Sequence, residues 1–125
     1  MDENAISYRI IGAVFQVYNS LGPGLLESVY EKVLLYELQK RGLNAAAEVH
    51  IPIVYDDLSF GDELKADIVV EHKVIIELKS VAEIRDIHYK QLLTYLKLTK
   101  LKLGILVNFN SSNIREDIHR VVNNL

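Results

Sequence analysis

Two carboxylates and a lysine stand at spacings that bring them together on neighbouring strands. Asp67 lies in the apolar segment KADIVV, and Glu77 and Lys79 lie in the next segment, VIIELK, after a three-residue turn. Residues two apart on a strand share a face, so Glu77 and Lys79 point the same way. A hairpin about the turn places Asp67 opposite them. The spacing therefore predicts a patch of two carboxylates and one ammonium at the ends of hydrophobic strands.

This patch needs an explanation, because neighbouring carboxylates in apolar strands repel each other and resist ionisation. A hard divalent cation resolves the repulsion, since Mg²⁺ prefers oxygen ligands, takes one or two carboxylates and keeps water at its other positions. Such an ion acidifies a water and polarises a phosphoryl oxygen, and Lys79 would orient that water or stabilise charge on the phosphate. The alternative interpretation is a structural salt bridge from Asp67 or Glu77 to Lys79.

Polar side chains on two predicted helices are further candidates. Glu27 and Tyr30 stand three apart at the start of the second helix, where the helix dipole by itself also favours a carboxylate. Gln91 and Tyr95 form an i, i+4 pair on the third helix, and His88 shares their face. Polar groups on a largely apolar face need partners. Each therefore belongs either to a site or to an ordinary packing interface.

The apolar periodicity predicts the elements that position these groups. Helical spacing predicts three helices, at residues 5–21, 25–41 and 84–99. Apolar runs predict four strands, at residues 48–55, 64–70, 74–79 and 103–109. Pro52 indicates an edge or a bulge, residues 56–61 are predicted as a hairpin loop, and the tail at 114–122 favours a short strand. The order indicates an α/β fold (α+β mixed) with a central mixed sheet flanked by helices.

Length and composition limit the possible classes of protein. The chain has 125 residues, half of them hydrophobic and a quarter charged, and no cysteine. A single domain over residues 1–125 is expected, burying roughly two-thirds of its unfolded surface. The lack of cysteine excludes disulfides, zinc-thiolate sites and cysteine nucleophiles. Without a secretory signal or an apolar run of roughly 18 residues, a soluble cytoplasmic protein with no membrane association is expected.

Charge is distributed unevenly. The net charge is −3, from −6 in residues 1–63 and +3 in residues 64–125. Between residues 85 and 102 Asp86 is the one acid, and the basic residues are Arg85, Lys90, Lys97, Lys100 and Lys102. This basic strip would suit a phosphate backbone. The alternative is a solvated helix face.

Several segments together resemble a known family. The run GPGLLESVYEKVLLYEL resembles the opening of the GxxExxY proteins, with Gly24, Glu27 and Tyr30 at the named positions. The resemblance continues through KADIVV, VIIELKS, HYKQLLTYLK and LGILVNFN, and so covers residues 5–122. By this resemblance the chain is placed in the PD-(D/E)XK nuclease superfamily. A restriction-endonuclease-like core is then implied, with a mixed sheet and flanking helices.

The resemblance implies roles around the predicted metal. Asp67 and Glu77 match the metal ligands, and the backbone carbonyl of Leu78 is implied as a further ligand. Lys79 matches the catalytic lysine of the E-x-K element. Glu27 matches a helix acid that binds metal directly or through water, and is implied as part of the catalytic set.

The resemblance also implies a substrate-binding set. Gln91 and Tyr95 match the Q-x-x-x-Y element of RecB-like nucleases, which borders the site and helps to hold the substrate backbone. The other residues expected to contact substrate are Tyr30, His88, Lys90 and Lys97. One departure is Ala66, which stands where the superfamily has proline. That proline shapes the strand and ligates nothing.

The implied activity is a Mg²⁺-dependent phosphodiesterase of the endodeoxyribonuclease kind, with Mn²⁺ as a possible substitute. Nucleic acid is the implied partner, with DNA as the expected substrate. A homodimer or a partner protein is a further expectation, since one small domain offers one active site and a duplex has two strands. The alternative is a non-catalytic nucleic-acid-binding or assembly module built on the same fold.

Overall fold

Three helices cover both faces of a five-stranded sheet in the computed structural model, which describes residues 1–125. The helices are α1 (Glu3–Leu21), α2 (Glu27–Lys40) and α3 (Asp86–Thr99). The strands are β1 (Ala45–His50), β2 (Ile53–Tyr55), β3 (Leu58–Phe60), β4 (Lys65–Val70), β5 (Val74–Lys79), β6 (Leu103–Asn108) and β7 (Ile118–Val122). The mixed α/β architecture predicted from the sequence is confirmed. None of the three helices combines the length and the apolar character that a transmembrane span requires.

The ends of α1 follow from local chemistry. The Asp2 carboxylate accepts a hydrogen bond of 2.8 Å from the Ala5 N–H and so caps the first turn. Gly22 ends the helix with φ at 68° and ψ at −175°, a conformation that glycine adopts without steric cost because it has no Cβ. Gly-Pro-Gly then turns the chain directly into α2, as the sequence predicts.

The order of the main sheet is β1-β4-β5-β6-β7, which puts β5 at its centre. Strands β5 and β6 are parallel, and the other neighbouring pairs are antiparallel. Because a parallel pair needs a long crossover, α3 fills the connection from β5 to β6. The first five residues of β5 are buried, which confirms the central position expected from its apolar sequence.

Two apolar layers hold the helices on the sheet. Helices α1 and α2 pack on one face through a cluster of 20 buried residues. Helix α3 packs on the other face through a smaller cluster, formed by Ile51, Ala66, Ile75, Leu92, Tyr95, Leu96 and Leu106. Both faces of the sheet are thus covered by helices. Polar side chains can reach the surface at the ends of β4 and β5.

One segment differs from its prediction. The strand expected at 48–55 is divided at Pro52, since proline offers no N–H to continue a ladder. The prediction of a hairpin loop over residues 56–61 is wrong. Leu58–Phe60 is a strand that pairs with Ile53–Tyr55 around the turn Asp56-Asp57. In the tail, a 3-10 turn at Ile114–Asp117 leads into β7, so the short final strand is confirmed.

Candidate functional site

Asp67 and Glu77 are linked where β4 and β5 stop pairing through their backbones. The register of the two strands runs from Val70 opposite Val74 to Ile68 opposite Ile76. Beyond that point the Leu78 N–H donates to the Asp67 carboxylate at 2.8 Å, and the Asp67 N–H donates to the Glu77 carboxylate at 3.2 Å. This reciprocal pair of side chain–backbone bonds fixes both carboxylates side by side, as the hairpin spacing predicts.

The position of Glu77 is electrostatically unfavourable. Only 7% of Glu77 is exposed. Burial raises the pKa of its carboxyl group well above the ordinary range. The Asp67 charge raises this pKa further, while the Asp67 N–H and the Lys79 ammonium oppose the rise. Without an added cation, the fold therefore favours a protonated Glu77.

A second group of carboxylates gathers around Asp67. Oxygen atoms of Glu31, Glu48 and Asp67 all lie within 4.8 Å of one another. The pKa of Glu31 is raised to about 7. Burial is the largest cause, and the negative charges of Glu48, Asp67 and Glu27 add to it. We call these three residues the acidic cluster. Three oxygens so close together can hold a divalent cation.

Glu48 reaches the acidic cluster from the edge of the sheet. Strands β1 and β4 pair on both sides of this residue in an antiparallel register that sets Glu48 opposite Asp67. The backbone of Glu48 has φ at 54°, a conformation that few residues other than glycine adopt. The side chain that joins the cluster therefore comes from an irregular point of the edge strand.

Glu31 and Glu48 were not among the site residues predicted from the sequence. Glu31 stands four residues after Glu27, one turn further along α2, so a helical projection from Glu27 could have found it. No local pattern marks Glu48, because an acid at the edge of a sheet is ordinary. Its approach to Asp67 depends on β1 pairing with β4, a contact between segments that are not consecutive in the chain.

Glu27 lies at the margin of this arrangement. It occupies the first turn of α2 as predicted and is exposed. Partial burial raises its pKa, the Lys79 ammonium lowers it and the Asp67 charge raises it, so both groups are near. Its carboxylate does not belong to the acidic cluster. Helix α2 therefore places Glu31 closest to Asp67 and leaves Glu27 on the outer side.

Lys79 ends β5 with a free ammonium group. No carboxylate lies within 4.0 Å of it, so the structural salt bridge considered above is not formed. Its backbone is held from β6: the Phe109 N–H donates to the Lys79 carbonyl at 2.9 Å. The Asn108 amide bonds both the N–H and the carbonyl of Val81, at 3.1 and 3.0 Å. The chain around Lys79 is thus fixed, while its ammonium remains available.

Tyr30 is part of the core. It is fully buried, and its ring stacks on Phe109 with centroids 4.4 Å apart. Its hydroxyl donates to the Gly22 carbonyl and accepts from the Leu25 N–H at 3.2 Å. This position gives Tyr30 a structural role in the turn before α2, and no surface with which to contact a substrate as the resemblance implied.

Gln91 and Tyr95 form the contact that their spacing predicts. The Gln91 amide donates to the Tyr95 hydroxyl at 3.0 Å. Tyr95 is 6% exposed, and its pKa is raised by burial first and by the nearby Glu77 charge second. Helix α3 therefore directs this pair towards the carboxylates, with Gln91 exposed at the surface.

The other candidates on α3 divide into two groups. The His88 ring accepts a hydrogen bond of 3.0 Å from the Arg85 N–H and so caps the helix. Burial and the charges of Lys79 and Arg85 lower the pKa of His88, which places the ring near Lys79. Lys90 and Lys97 are exposed and seven residues apart, on the outward side of the helix. They do not join the carboxylates.

The largest cavity of the molecule lies elsewhere. It measures about 550 Å³ and is formed by α1 and the residue that follows α2, Arg41. A cavity of about 490 Å³ adjoins His88, with Val81 and Arg85 among its walls. The carboxylates themselves line neither cavity. Of these carboxylates, Glu48 is exposed, Glu31 and Asp67 are partly buried and Glu77 is buried.

Comparison with known protein families gives one match. A sequence model described as the PD-(D/E)XK nuclease superfamily matches residues 4–121. No curated protein and no solved structure matches the chain. The matched region contains α2, α3, all but the first residue of α1 and the carboxylates that gather around Asp67. The five-stranded mixed sheet with flanking helices agrees with a restriction-endonuclease-like fold.

Proposed function

The chain belongs to the PD-(D/E)XK nuclease superfamily, and from that premise we propose that it is a metal-dependent nuclease that cleaves DNA. The observation that carries the proposal is that carboxylates from three other elements come together at Asp67 of β4. They are Glu77 from β5, Glu48 from β1 and Glu31 from α2. The Gly24, Glu27 and Tyr30 pattern supports membership of the GxxExxY group within the superfamily.

The residues around Asp67 fit a hard divalent cation. The donors are all carboxylate oxygens, which Mg²⁺ and Mn²⁺ both accept. Ligand oxygens lie about 2.1 Å from Mg²⁺, so two on opposite sides of the ion are about 4.2 Å apart. The oxygens of the acidic cluster lie within 4.8 Å of one another, and a small side-chain movement would complete the contact.

We assign the ligands to two sides of Asp67. Glu48 of the acidic cluster lies on the β1 side, with Glu31 reaching Asp67 from α2, and Glu77 with the carbonyl of Leu78 lies on the β5 side. Glu27 stands outside both and would act through water. A cation bound here supplies the acidification of a water and the polarisation of a phosphoryl oxygen. It would also offset the burial and the Asp67 charge that together make Glu77 favour its protonated form.

The remaining residues act on the substrate. The unpaired Lys79 ammonium would donate to a phosphate oxygen and stabilise the charge that develops on it. Gln91 and Tyr95 would hold the substrate backbone next to the carboxylates, and His88 would border the same surface. Outward-facing lysines on α3 would add a non-specific contact with more distant phosphates.

A cleavage assay tests the proposal. Wild type is incubated with single-stranded, duplex, forked and nicked DNA and with RNA, in Mg²⁺, Mn²⁺ or EDTA. Cleavage is expected in either metal, and loss of cleavage in EDTA, in Asp67→Ala and in Lys79→Ala. Glu116→Ala is a matched control, since this exposed carboxylate lies in the 3-10 turn before β7 and outside the cluster, and should cut as wild type does.

Binding measurements separate the two proposed roles of these residues. Titration calorimetry with Mg²⁺ and Mn²⁺ should show metal binding by wild type and by Lys79→Ala, and none by Asp67→Ala. Cleavage that persists in Asp67→Ala would exclude the site assigned here.

The second candidate is a non-catalytic nucleic-acid-binding module. The outward position of Lys90 and Lys97 favours it, because these lysines could hold a backbone away from the carboxylates. If wild type binds DNA and metal but cuts no substrate of the panel in either metal, this second candidate is established instead.

A further inference from the structure

The β2–β3 hairpin carries an uncovered apolar face. Ile53 pairs with Phe60 and Tyr55 pairs with Leu58, so these four side chains lie on the same side of the hairpin. Ile53 and Phe60 are partly buried at its base, whereas Tyr55 is 75% exposed and Leu58 is 59% exposed. A two-stranded hairpin is marginally stable by itself. This apolar tip is therefore a candidate contact surface.

The charge of the hairpin limits what can cover it. Residues 53–63 contain no Lys or Arg and four carboxylates, at Asp56, Asp57, Asp62 and Glu63. The turn that joins Tyr55 to Leu58 is Asp56-Asp57. An apolar tip with adjacent carboxylates repels phosphates, so nucleic acid is a poor occupant. A surface with an apolar floor and a cationic rim is complementary to it.

The cavity beside α1 has these properties. Its walls are Tyr8, Arg9, Ile11, Gly12, Phe15 and Arg41. Tyr8 is 81% exposed and Phe15 is partly buried, so aromatic surface faces the cavity. A Cβ atom at Gly12 would lie 3.1 Å from the Arg41 guanidinium, so glycine leaves room for that group against the helix. We call this cavity the arginine groove.

The arginine groove is surrounded by positive charge. Arg9 and Arg41 form part of its wall, and a third guanidinium, that of Arg115, lies 5.8 Å from the Phe15 ring. One of these charges is partly balanced, since Glu37 pairs with Arg41 at 3.0 Å. Arginine favours interfaces because its planar group both packs on aromatic rings and pairs with carboxylates.

The hairpin and the groove of one molecule are separated by β1. Arg41 precedes this strand and Ile53 follows it, and six residues of strand extend about 20 Å. We propose that the arginine groove receives the β2–β3 hairpin of a second copy of the chain. Tyr55 and Leu58 of one copy fill the groove of the other, and Asp57 pairs with Arg9 at its rim. A volume of about 550 Å³ accommodates side chains of this size.

Each copy carries both surfaces, so two equivalent contacts can form about a two-fold axis and close a dimer. The residues of the acidic cluster belong to neither of the two contact surfaces. The inference does not depend on nuclease activity.

Cysteine cross-linking tests the contact directly, because the chain has no cysteine of its own. Tyr55→Cys and Tyr8→Cys variants are mixed and oxidised, and a mixed disulfide is expected as the main product. Tyr36→Cys is the matched control: this tyrosine is 65% exposed on α2 and lies outside the groove. Equal yields of disulfide from Tyr55→Cys with Tyr8→Cys and from Tyr55→Cys with Tyr36→Cys would overturn the proposal.

Charge exchange provides a second test in solution. Sedimentation should give wild type twice the monomer mass of 14.3 kDa, and Asp57→Arg or Arg9→Glu alone should weaken the dimer by about tenfold or more. A mixture of the two variants should associate again through the restored opposite charges, while Glu83→Arg should behave as wild type. A monomeric wild type at high concentration overturns the proposal. So does an Arg9→Glu variant that keeps the dimer and loses DNA binding.

Discussion

Replacing Glu31 with glutamine should stabilise the metal-free protein. Burial and the nearby carboxylates raise the pKa of Glu31 from an ordinary value of 4.5 to about 7. Folding therefore has to suppress an ionisation that the unfolded chain allows. Glutamine has nearly the same shape and no charge, so Glu31→Gln removes this conflict. The same change removes one of the proposed metal ligands.

The size of the effect follows from the displaced pKa. One pH unit corresponds to about 1.4 kcal/mol, so the displacement from 4.5 to about 7 sets a ceiling of about 3 kcal/mol. Because Glu31 is partly exposed, solvent screening reduces the expected gain to roughly 1–2 kcal/mol. In a domain of this length the gain corresponds to a rise in Tm of about 3–8 °C.

The gain in stability from Glu31→Gln should increase as the pH rises. Below pH 4.5 the Glu31 carboxyl is protonated in both the folded and the unfolded protein. Between pH 4.5 and 7 the unfolded chain ionises while the folded one stays protonated, so wild type loses stability as the pH rises. The difference in Tm between Glu31→Gln and wild type should therefore be near zero at pH 4.5 and largest above pH 7.

Thermal unfolding followed by circular dichroism from pH 4.5 to 8.5 in EDTA measures this difference. Glu83→Gln, an exposed change outside the acidic cluster, controls for the loss of one negative charge. Added Mg²⁺ should raise the Tm of wild type more than that of Glu31→Gln. A gain that is the same at every pH, or a Glu31→Gln variant less stable than wild type at pH 8, would show that Glu31 is not destabilised by its ionisation.

Four further substitutions have defined expectations. Tyr30→Phe removes the hydroxyl that holds the Gly-Pro-Gly turn and should cost about 1 kcal/mol in urea unfolding; an unchanged midpoint would show that the bond contributes nothing. Gly104→Ala places a Cβ 2.8 Å from the Leu92 side chain and should cost about 1–3 kcal/mol in the same measurement, unless Leu92 moves freely. Lys90→Gln and Lys97→Gln should each lower the slope of log affinity for DNA against log salt by about 1. An unchanged slope would place the phosphate contacts elsewhere.

Much of the architecture could be predicted from the sequence because it depends on local periodicity. Apolar residues at helical spacing predicted α1, α2 and α3, and continuous apolar runs predicted β5 and β6. The contact between Asp67 and Glu77 was also predictable, since a three-residue turn joins two consecutive strands and leaves one simple register. The spacing of Gln91 and Tyr95 likewise predicts their contact, because residues four apart meet on a helix.

Other features could not be read from local patterns. Pro52 indicated an irregular edge, yet the short segment after Asp57 did not reveal a strand, because three residues are too few to show a period. Tyr30 matched a motif that implied substrate contact, but its depth in the core depends on how α2 packs against Phe109.

Local sequence patterns were enough to predict the helices, the central strand and the pair of carboxylates on consecutive strands. The contacts of Glu31 and Glu48 with Asp67 arise at the tertiary level, because α2 packs against the sheet and β1 pairs with β4 although other strands separate them in the chain. Local spacing carries information about contacts within an element or across one turn. The two apolar layers fix how far each helix lies from the sheet. Side chains from separate elements come together only as a result of that packing.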